Sequence, residues 1–394
     1  PRASEMLLLA AANHAQLVSL VRSVVAHLRS AHPPALAELA QSAARRAVGE
    51  HRLALVVENA EELTRKLESA LEKLTAPDCR PFRLRGGAAY GRGAAPGKLC
   101  LLFPGEGSQY PGMLAGLCMH FPQVRDWFDF IEDNARARGS RSRSELLFPA
   151  PTVLNTEQRA ALELALFDMD VGAESVYAAS LGLQALIDDI GLLPDAMLGH
   201  STGENTALTA GKVRRFAHRE DVAEAVQSVN AFFRKLEAEG RIAHGSLLTV
   251  GGLTRDTRAQ LMAQVQAAGC RMQLAMDNCP NQVVLFGPGD IAAQWRERLV
   301  ADGAICQELP FGRAYHTPLF KPLADAFRAY FKTLDFGPGR VPLYSARSCA
   351  PFPEAPDDIR ELAAQQWENP VRFTQTVERL YADGFRVFLE VGPS

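Results

Sequence analysis

The sequence predicts an α/β protein in which a doubly wound domain carries an inserted ferredoxin-like unit and a small N-terminal α/β appendage. Three patterns predict it: short apolar runs typical of buried parallel strands, a strand–turn–helix sequence around residues 196–210, and a βαββαβ order over residues 245–310. The 394 residues suffice for two or three packed units. With 47% hydrophobic and 22% charged residues, the composition excludes wholesale disorder, a collagen-like rod and a disulfide scaffold.

The N-terminal part divides into a helix-rich segment and a linker. Alanine and leucine spacing predicts helices within residues 5–28 and 35–47, and a strand at residues 52–58 precedes a third helix at residues 60–74. Residues 76–98 alternate prolines and glycines with basic residues, which is typical of a linker.

The pattern of a doubly wound domain begins at residue 99. Residues 99–103 (LCLLF) and 196–199 (AMLG) are short apolar runs, and a helix is predicted over residues 174–191. The second run leads directly into GHSTGE at residues 199–204 and a helix over residues 202–210.

The inserted unit follows the order strand, helix, strand, strand, helix, strand. Its strands are predicted at residues 245–250, 271–276, 282–286 and 304–309, and its helices at residues 255–268 and 291–302. The α/β pattern then resumes, with helices at residues 319–333, 357–366 and 370–383 and strands at residues 341–345 and 385–391.

Charge and cysteine usage restrict the partners and the compartment. The formal net charge of −3 gives no global basic field that would recruit nucleic acid. The seven cysteines form no C-x-x-C pair, which fits free thiols in a reducing cytosol and gives no reason to expect structural zinc. The sequence contains no run of about 18 apolar residues, the length needed to span a membrane. Both ends of the sequence are abrupt, so we expect a cytoplasmic segment of a longer polypeptide.

Residues 199–203 (GHSTG) match G-x-S-x-G, in which the flanking glycines permit a strained turn that exposes the serine hydroxyl at the head of a helix. The strand before and the helix after this motif favour Ser201 as a nucleophile. A serine that caps a helix within a glycine-bounded turn remains the alternative.

A serine nucleophile needs a base, and His316 is the candidate among the nine histidines. It follows the last ferredoxin-like strand, on a loop where the chain re-enters the large domain, and such crevice loops collect catalytic groups. An ordinary, partly exposed loop histidine remains the alternative interpretation from the pattern alone.

An oxyanion hole needs two backbone donors. We expect one from Thr202, directly after the serine, and the other from the loop at residues 103–109 (FPGEGSQ). That loop lacks the pattern of a phosphate cradle, although a plain strand-to-helix turn explains its glycines equally well.

Five motifs together resemble the acyltransferase domain of polyketide synthases and the malonyl-CoA:acyl carrier protein transacylase of fatty acid synthesis. They are FPGEGSQ at 103–109, GHSTGE at 199–204, AYH at 314–316, ENPV at 368–371 and EVGP at 390–393. Residues 1–95, which contain HRLALVV at 51–57, resemble the linker subdomain that joins a ketosynthase to such an acyltransferase. The resemblance implies an α/β hydrolase-like subdomain over residues 96–240 and 311–394 and a ferredoxin-like subdomain over residues 241–310.

The resemblance also implies a two-step transfer. Ser201 would attack an acyl-CoA with His316 as base, and the phosphopantetheine thiol of an acyl carrier protein would then take the acyl group. In the family a backbone carbonyl orients the histidine, and the matching residue is Gln366. The oxyanion amides carry over to Thr202 and to Glu106, where the family usually has glutamine. A ketosynthase in the same polypeptide is the implied neighbour, and no metal or bound cofactor is implied, since coenzyme A enters with the substrate.

The resemblance specifies the acyl group less clearly. Malonyl-selective members of the family carry an arginine 25 to 30 residues after the serine, and this chain has none at that place. Here Val229 or Asn230 occupies that place, so Arg234 or Arg313 would have to supply the charge, or the pocket accepts a neutral group such as acetyl. The aromatic Tyr315 before the histidine resembles malonyl-selective rather than methylmalonyl-selective members. Malonyl is therefore the first expectation.

Further residues have a functional and an ordinary interpretation. Asn278 is expected to line the acyl pocket, unless it only forms a turn. Four arginines within residues 136–143, or KVRR at residues 212–215, are candidate docking sites for an acidic carrier protein, although such runs are usually solvated loops.

Two other functions use the same motifs. A serine esterase or thioesterase-type hydrolase shares the turn, the base and the oxyanion amides, but the α/β-hydrolase order needs an acid between serine and histidine that no context singles out here. A catalytically idle docking module of a larger synthase would not need Ser201 and His316.

Overall fold

Two units, Pro1–Pro96 and Gly97–Ser394, make up the chain. The structure is a computed structural model that describes residues 4–94, 96–150, 154–310 and 312–393, except for the side chains of Met169 and Asp170. The abrupt chain ends expected above, the predicted boundary at residue 95 and Phe311, where the last predicted segment begins, lie outside these residues.

The first unit is a four-stranded antiparallel sheet with helices. Its elements are β1 (Glu5–Ala11), α1 (His14–Leu28), α2 (Leu36–Arg46), β2 (His51–Val57), α3 (Ala60–Leu74), β3 (Phe82–Leu84) and β4 (Ala88–Arg92). The strands lie in the order β1-β2-β4-β3. The unit has its own core, in which Leu7, Leu17, Leu53 and Leu67 are fully buried.

The expectation that residues 5–28 are helical is wrong for their first third. Glu5–Ala11 is a strand that pairs with β2 along its whole length, from Glu5 opposite Val57 to Ala11 opposite His51. The helix starts only after Asn13, whose side chain accepts a hydrogen bond from the Gln16 amide. Cross-strand pairing and burial of Leu7 therefore override the helical propensity of this leucine- and alanine-rich segment.

The interpretation of residues 76–98 as a linker is also wrong in part. Phe82–Leu84 and Ala88–Arg92 form a hairpin that completes the sheet, and Tyr90 is buried in its core. Gly86 and Gly87 both have φ of +90°, the left-handed region that glycine adopts without strain. The glycines thus mark a tight turn inside a sheet instead of a flexible connection.

The second unit has a mixed α/β fold. Before residue 240 it contains β5 (Lys98–Phe103), α4 (Ala115–His120), α5 (Pro122–Ala137), α6 (Arg143–Leu147), α7 (Thr156–Ala165), α8 (Met169–Asp189), β6 (Ala196–Gly199), α9 (Gly203–Ala210), β7 (Arg214–Arg215) and α10 (Arg219–Ala238). It continues with β8 (Ser246–Gly251), α11 (Arg255–Ala268), β9 (Gln273–Cys279), β10 (Gln282–Gly287), α12 (Gly289–Ala301) and β11 (Ile305–Glu308). The last elements are α13 (Lys321–Phe331), β12 (Asp335–Phe336), β13 (Leu343–Ser345), β14 (Ala350–Pro351), α14 (Pro356–Gln365), β15 (Val371–Arg372), α15 (Phe373–Ala382) and β16 (Phe385–Glu390).

The sheet that carries the serine motif has the strand order β14-β13-β6-β5-β16. Strands β13, β6, β5 and β16 are parallel, and β14 is antiparallel at the edge. In chain order the parallel strands therefore run third, second, first, fourth, so the winding direction reverses beside β5. In such sheets ligands bind beyond the carboxyl ends of the strands near this reversal, where residues 103–109 and 199–204 both lie.

The second large sheet has the order β11-β8-β10-β9-β15. Neighbours from β11 to β9 are antiparallel, and the order fourth, first, third, second is that of a ferredoxin-like βαββαβ unit. The pair Val371–Arg372 joins this sheet parallel to β9, where a helix was expected to begin at residue 370. A separate two-stranded sheet pairs β7 with β12, with Arg214 opposite Phe336.

Candidate active site

Ser201 lies on the tight turn between β6 and α9, with φ of +54°. Its flanking glycines are required by space: a Cβ on Gly199 would lie 2.2 Å from the Glu204 nitrogen, and one on Gly203 would lie 2.1 Å from the Phe103 carbonyl oxygen. Any side chain at these two positions would displace backbone. The turn therefore holds the serine hydroxyl out at the head of the helix.

His316 reaches this hydroxyl from a different part of the chain. Its Nε2 lies 2.6 Å from Ser201 Oγ, and its Nδ1 lies 2.8 Å from the carbonyl oxygen of Gln366. Because a carbonyl only accepts, Nδ1 carries the proton and Nε2 is left to accept the serine hydroxyl proton. The backbone amide of His316 also donates to the carbonyl oxygen of Trp367, at 3.1 Å. Two anchors on one segment therefore fix the position and the tautomer of the imidazole.

The imidazole is fully buried. The Trp367 ring lies nearly parallel to it, with 6.4 Å between centroids. Burial lowers the pKa of His316 to about 4, against the opposing effect of the Gln366 carbonyl. The histidine is consequently neutral at neutral pH, as a general base must be before it accepts a proton.

The expected oxyanion loop lies beside the serine, but one of its amides is engaged. The Glu106 amide donates to the Thr202 hydroxyl at 2.7 Å. The two loops approach so closely that a Cβ on Gly105 would lie 2.5 Å from the His200 carbonyl oxygen. The Thr202 side chain therefore occupies the Glu106 donor in this arrangement, and it would have to rotate before that amide could bind an oxyanion.

A cavity with about 730 Å³ of empty space, partly open to solvent, adjoins the pair. Thr202, next to the serine, lines it, as do Tyr315, which precedes the histidine in the chain, and Trp367, whose ring lies nearly parallel to the imidazole. The wall contributed by α10 includes Val229 and Asn230. The mostly apolar wall suits a small organic group.

Among the described residues, one acidic and one basic residue line this cavity. They are Glu106 and Arg214. Burial raises the pKa of Glu106 to about 7, although the charge of Arg313 acts in the other direction. Just below neutral pH much of the Glu106 carboxyl is therefore protonated.

Residues 100–394 match the profile of the acyl transferase domain family. The chain belongs to this family. The match covers both loops, the serine turn, His316 and Gln366, and the resemblance to polyketide synthase acyltransferases and to malonyl-CoA:acyl carrier protein transacylase is confirmed. The chain is therefore an acyltransferase.

Two named enzymes are similar to this acyltransferase over most of its length. It is 28% identical over 300 residues to the malonyl CoA-acyl carrier protein transacylase of Bacillus subtilis, covering 75% of this chain and 87% of that protein. It is also 28% identical over 361 residues to the mycoketide-CoA synthase of Mycobacterium tuberculosis, where it covers 91% of this chain but spans only 8% of the relative.

A solved structure shares the fold. The acyltransferase domain from module 8 of the salinomycin polyketide synthase superposes with a TM-score of 0.76 at 20% identity, covering 99% of this chain and 85% of that one.

Some of the residues predicted to bind the substrate line the cavity of the acyltransferase, and others do not. Asn230 and Tyr315 line the cavity and are buried. Asn278 is not among the lining residues, and its Oδ1 accepts a hydrogen bond from His200 Nε2 at 2.8 Å. Arg313 is also outside the lining, and its guanidinium pairs with Glu237 at 3.3 Å.

Three of the four arginines in residues 136–143, from the end of α5 to the start of α6, are paired with carboxylates. Arg138 and Arg143 both bind the carboxylate of Glu174, at 3.0 and 2.8 Å, and Arg136 binds Glu132 at 2.9 Å. These contacts give the run a structural role that the sequence alone did not indicate.

The sequence interpretation missed Arg214 as a cavity residue. It was grouped with its neighbours 212–215 as a candidate docking patch, yet its side chain is only 6% exposed while that of Arg215 is exposed. Strand alternation places the two on opposite faces, but the sequence does not say which of them points inward.

In the part of the chain that the structure describes, no cluster of His, Cys, Asp or Glu has the geometry of a metal site. No helix among these residues is long and apolar enough to cross a membrane.

Proposed function

We propose that this acyltransferase moves an acyl group, malonyl in the first instance, from coenzyme A to the phosphopantetheine thiol of an acyl carrier protein by way of an ester on Ser201. The observation that carries this proposal is the chain of two hydrogen bonds from Ser201 Oγ through His316 to the Gln366 carbonyl oxygen. It supplies both a nucleophile and a base whose protonation state is defined.

In the first half-reaction, His316 Nε2 takes the proton of the Ser201 hydroxyl as Oγ attacks the thioester carbonyl. The tetrahedral intermediate then expels the coenzyme A thiolate, which takes the proton from His316, and the acyl group remains as a serine ester. Gln366 holds the Nδ1 proton throughout, so the imidazolium formed in between keeps its orientation.

In the second half-reaction, the carrier thiol gives its proton to His316 Nε2 and attacks the ester carbonyl. The intermediate expels the serine alkoxide, which takes the proton back from His316. The carrier leaves as an acyl thioester, and the enzyme returns to its starting state.

The negative oxygen of both intermediates needs donors. The Thr202 amide, directly after the nucleophile, and the Glu106 amide are the candidates. Because Glu106 donates to the Thr202 hydroxyl before substrate binds, rotation of Thr202 about χ1 would exchange this acceptor for the oxyanion. The exchange leaves the number of hydrogen bonds to the Glu106 amide unchanged.

The relatives support the acyl group and the partner. The transacylase of Bacillus subtilis is named for malonyl CoA and acyl carrier protein, and the chain covers 87% of it. The mycoketide-CoA synthase is far longer than the matched region, which supports a place within a multidomain synthase. The ketosynthase neighbour rests on the likeness of the first unit to the linker subdomain.

Labelling with acyl-CoA distinguishes the candidate functions. The protein and its Ser201→Ala variant are incubated with radiolabelled malonyl-CoA and, separately, acetyl-CoA. A transferase retains label that the variant lacks, a hydrolase releases free acid quickly, and an idle docking module takes up no label. Comparing the two thioesters also decides between malonyl and a neutral acyl group.

A further inference from the structure

Arg214 is a buried cation that lines the cavity beside Ser201 and has only uncharged partners. Its Nη2 donates to the Asn205 carbonyl oxygen at 3.1 Å and to Thr209 Oγ1 at 2.9 Å, and its Nε lies 3.3 Å from the same hydroxyl. The Phe216 ring lies 5.1 Å from its central carbon. Among the described residues, its Nη1 has no hydrogen-bond acceptor.

Two other shielded arginines of this chain, Arg143 and Arg258, are paired with carboxylates. Arg143, with a side chain 2% exposed, binds Glu174 at 2.8 Å, and Arg258 binds Asp277 at 2.6 Å. A buried guanidinium without an anion bears a desolvation cost that a partner charge offsets. No carboxylate of the described residues lies within 4.0 Å of Arg214, which is 6% exposed, so this buried cation differs from Arg143 and Arg258.

The acidic residues that line the two cavities bordering Arg214 do not fill that role. A second cavity borders Arg214 on another side and is lined by Asp188 and Lys212, and Asp188 accepts a hydrogen bond from Gln184. In the cavity beside Ser201, the acidic lining residue among those described is Glu106, whose amide donates to the Thr202 hydroxyl next to the serine. An anion for Arg214 must therefore come from outside the chain.

The position of Arg214 fits an anion carried by the acyl group. Its partners Asn205 and Thr209 lie on α9, which begins directly after the Ser201 turn. At a rise of about 1.5 Å per residue, these partners are about 4.5 and 10 Å along the helix from Thr202. A malonyl ester extended from Ser201 places its free carboxylate about 5 Å from Oγ, within hydrogen-bond reach of that zone.

We propose that Arg214 binds the terminal carboxylate of a short dicarboxylic acyl group, with malonyl as its shortest member, while the other end of that group is esterified to Ser201. The inference rests on the proposed function, since it assigns a specificity residue to the same site. Arg214 then does the work of the family arginine, from a strand 13 residues after the serine instead of from α10, where Val229 and Asn230 face the cavity. Its free Nη1 together with Nη2 suits a carboxylate held by two nitrogens.

The other arginines considered are placed differently. Arg234 is exposed on α10, and Arg313 is held by Glu237 outside the cavity lining. Selectivity for a carboxylate should therefore depend on Arg214 and not on these two.

The test compares acyl groups of similar length with and without a carboxylate. The protein of residues 1–394 is given malonyl-CoA, succinyl-CoA or propionyl-CoA, and the rate of ester formation on Ser201 is followed by mass spectrometry. The native protein should load malonyl or succinyl at least about tenfold faster than propionyl. Arg214→Gln should lower loading of the dicarboxylic groups by at least about tenfold and leave propionyl loading within about threefold.

Arg215→Gln is the matched control, because this exposed neighbour contacts the Lys212 and Pro338 carbonyls on the other face of the strand. This variant should change neither the loading of the dicarboxylic groups nor that of propionyl. Arg214→Lys keeps the charge but loses the planar fork, and it should give an intermediate preference. Thermal melts followed by circular dichroism show whether each variant is folded.

Two results would overturn the inference. Either the native protein loads propionyl as fast as the dicarboxylic groups, or the Arg214 variants lower all acyl groups by the same factor, as a purely structural residue would. The first result needs no variant, so misfolding of Arg214→Gln leaves the test intact. If no thioester labels Ser201 in the native protein, the proposed function itself has failed.

Discussion

Ser201 and His316 both have a left-handed backbone conformation, with φ of +54° and +60°. For residues other than glycine this conformation is uncommon and costs free energy, so surrounding contacts must maintain it. At Ser201 the contacts come from the two glycine approaches, and at His316 from the Gln366 and Trp367 carbonyls. Strain at both partners fits a site that is set before the substrate arrives.

The pH dependence of acylation should reveal the environment of His316. The folded-state pKa of about 4 lies below the ordinary value, so the imidazole stays unprotonated and competent as a base until the pH falls towards 4. We expect the rate of Ser201 acylation by a neutral acyl-CoA to stay nearly constant from pH 7 to about 5 and to halve near pH 4. Stopped reactions measure this acylation rate at each pH, in protein that is shown to be folded there. A midpoint near pH 6.5 would contradict the account.

Glu106 should produce a second pH effect that depends on the acyl group. Its raised pKa of about 7 means that a negative charge forms in the cavity as the pH rises through 7. This charge should repel a dicarboxylic acyl group, so malonyl loading falls between pH 7 and 9. Glu106→Gln keeps the backbone amide and removes the charge, so the fall should disappear. An equal fall in both proteins would show that another group is responsible.

The placement of individual residues in the candidate site was predictable where it depends on a local pattern. Ser201 follows from a strand, two glycines and a helix, and His316 from its place on a re-entry loop. The hydrogen bond between Glu106 and Thr202 joins residues 96 positions apart, and the inward direction of Arg214 depends on the pairing of β7 with β12. Neither follows from sequence spacing, because both depend on how separate segments meet.

At the scale of elements, the contact between α9 and the loop after β5 aligns the two halves of the candidate site. Gly203 is the closest point, since its Cα faces the carbonyl oxygens of Phe103 and Pro104. The serine turn and the loop after β5 therefore meet at backbone distance, beside the hydrogen bond from the Glu106 amide to the Thr202 hydroxyl.

Gly203→Ala should disrupt this contact. An added Cβ would lie 2.1 Å from the Phe103 carbonyl oxygen and 2.6 Å from that of Pro104, so backbone must move. We expect a loss of about 2 kcal/mol or more in the free energy of unfolding, together with a large fall in acylation. Chemical denaturation and Ser201 labelling measure the two effects.

Gly116→Ala in α4 is the matched control. Nothing lies within 4 Å of the corresponding Cβ, so the substitution should be neutral or stabilise slightly. If Gly203→Ala behaves like Gly116→Ala, the close approach does not position the site.

Elements with one dominant pattern were predicted well. The apolar runs became β5 and β6, and the βαββαβ order became the sheet β11-β8-β10-β9. The failures, Glu5–Ala11 and the hairpin of β3 and β4, are segments whose local composition favours helix or turn while cross-strand pairing decides otherwise.

At the scale of the whole molecule, each unit has a core of its own. The first is built around the sheet of β1 to β4, and the second around residues such as Phe103, Phe327 and Trp367. The family match begins at residue 100, within the second unit.

A fragment of residues 97–394 should therefore fold and retain the serine site. We expect its Ser201 to be acylated at a rate within about threefold of that of the full chain, because the residues of the pair, the oxyanion loop and the cavity all belong to this unit. Circular dichroism and mass spectrometry of the purified fragment measure folding and acylation. A folded fragment with no acylation would show that the first unit contributes to the site.

The most direct test of the central claim is a single-turnover chase. The protein is loaded with one acyl group, the ester is assigned to Ser201 by peptide mass spectrometry, and a phosphopantetheinylated carrier protein or buffer is then added. The account predicts a Ser201 ester that persists in buffer and is passed to the carrier thiol, with no ester formed in His316→Ala on the same time scale. An ester on another residue, or one that buffer alone removes as fast as the carrier does, would contradict it.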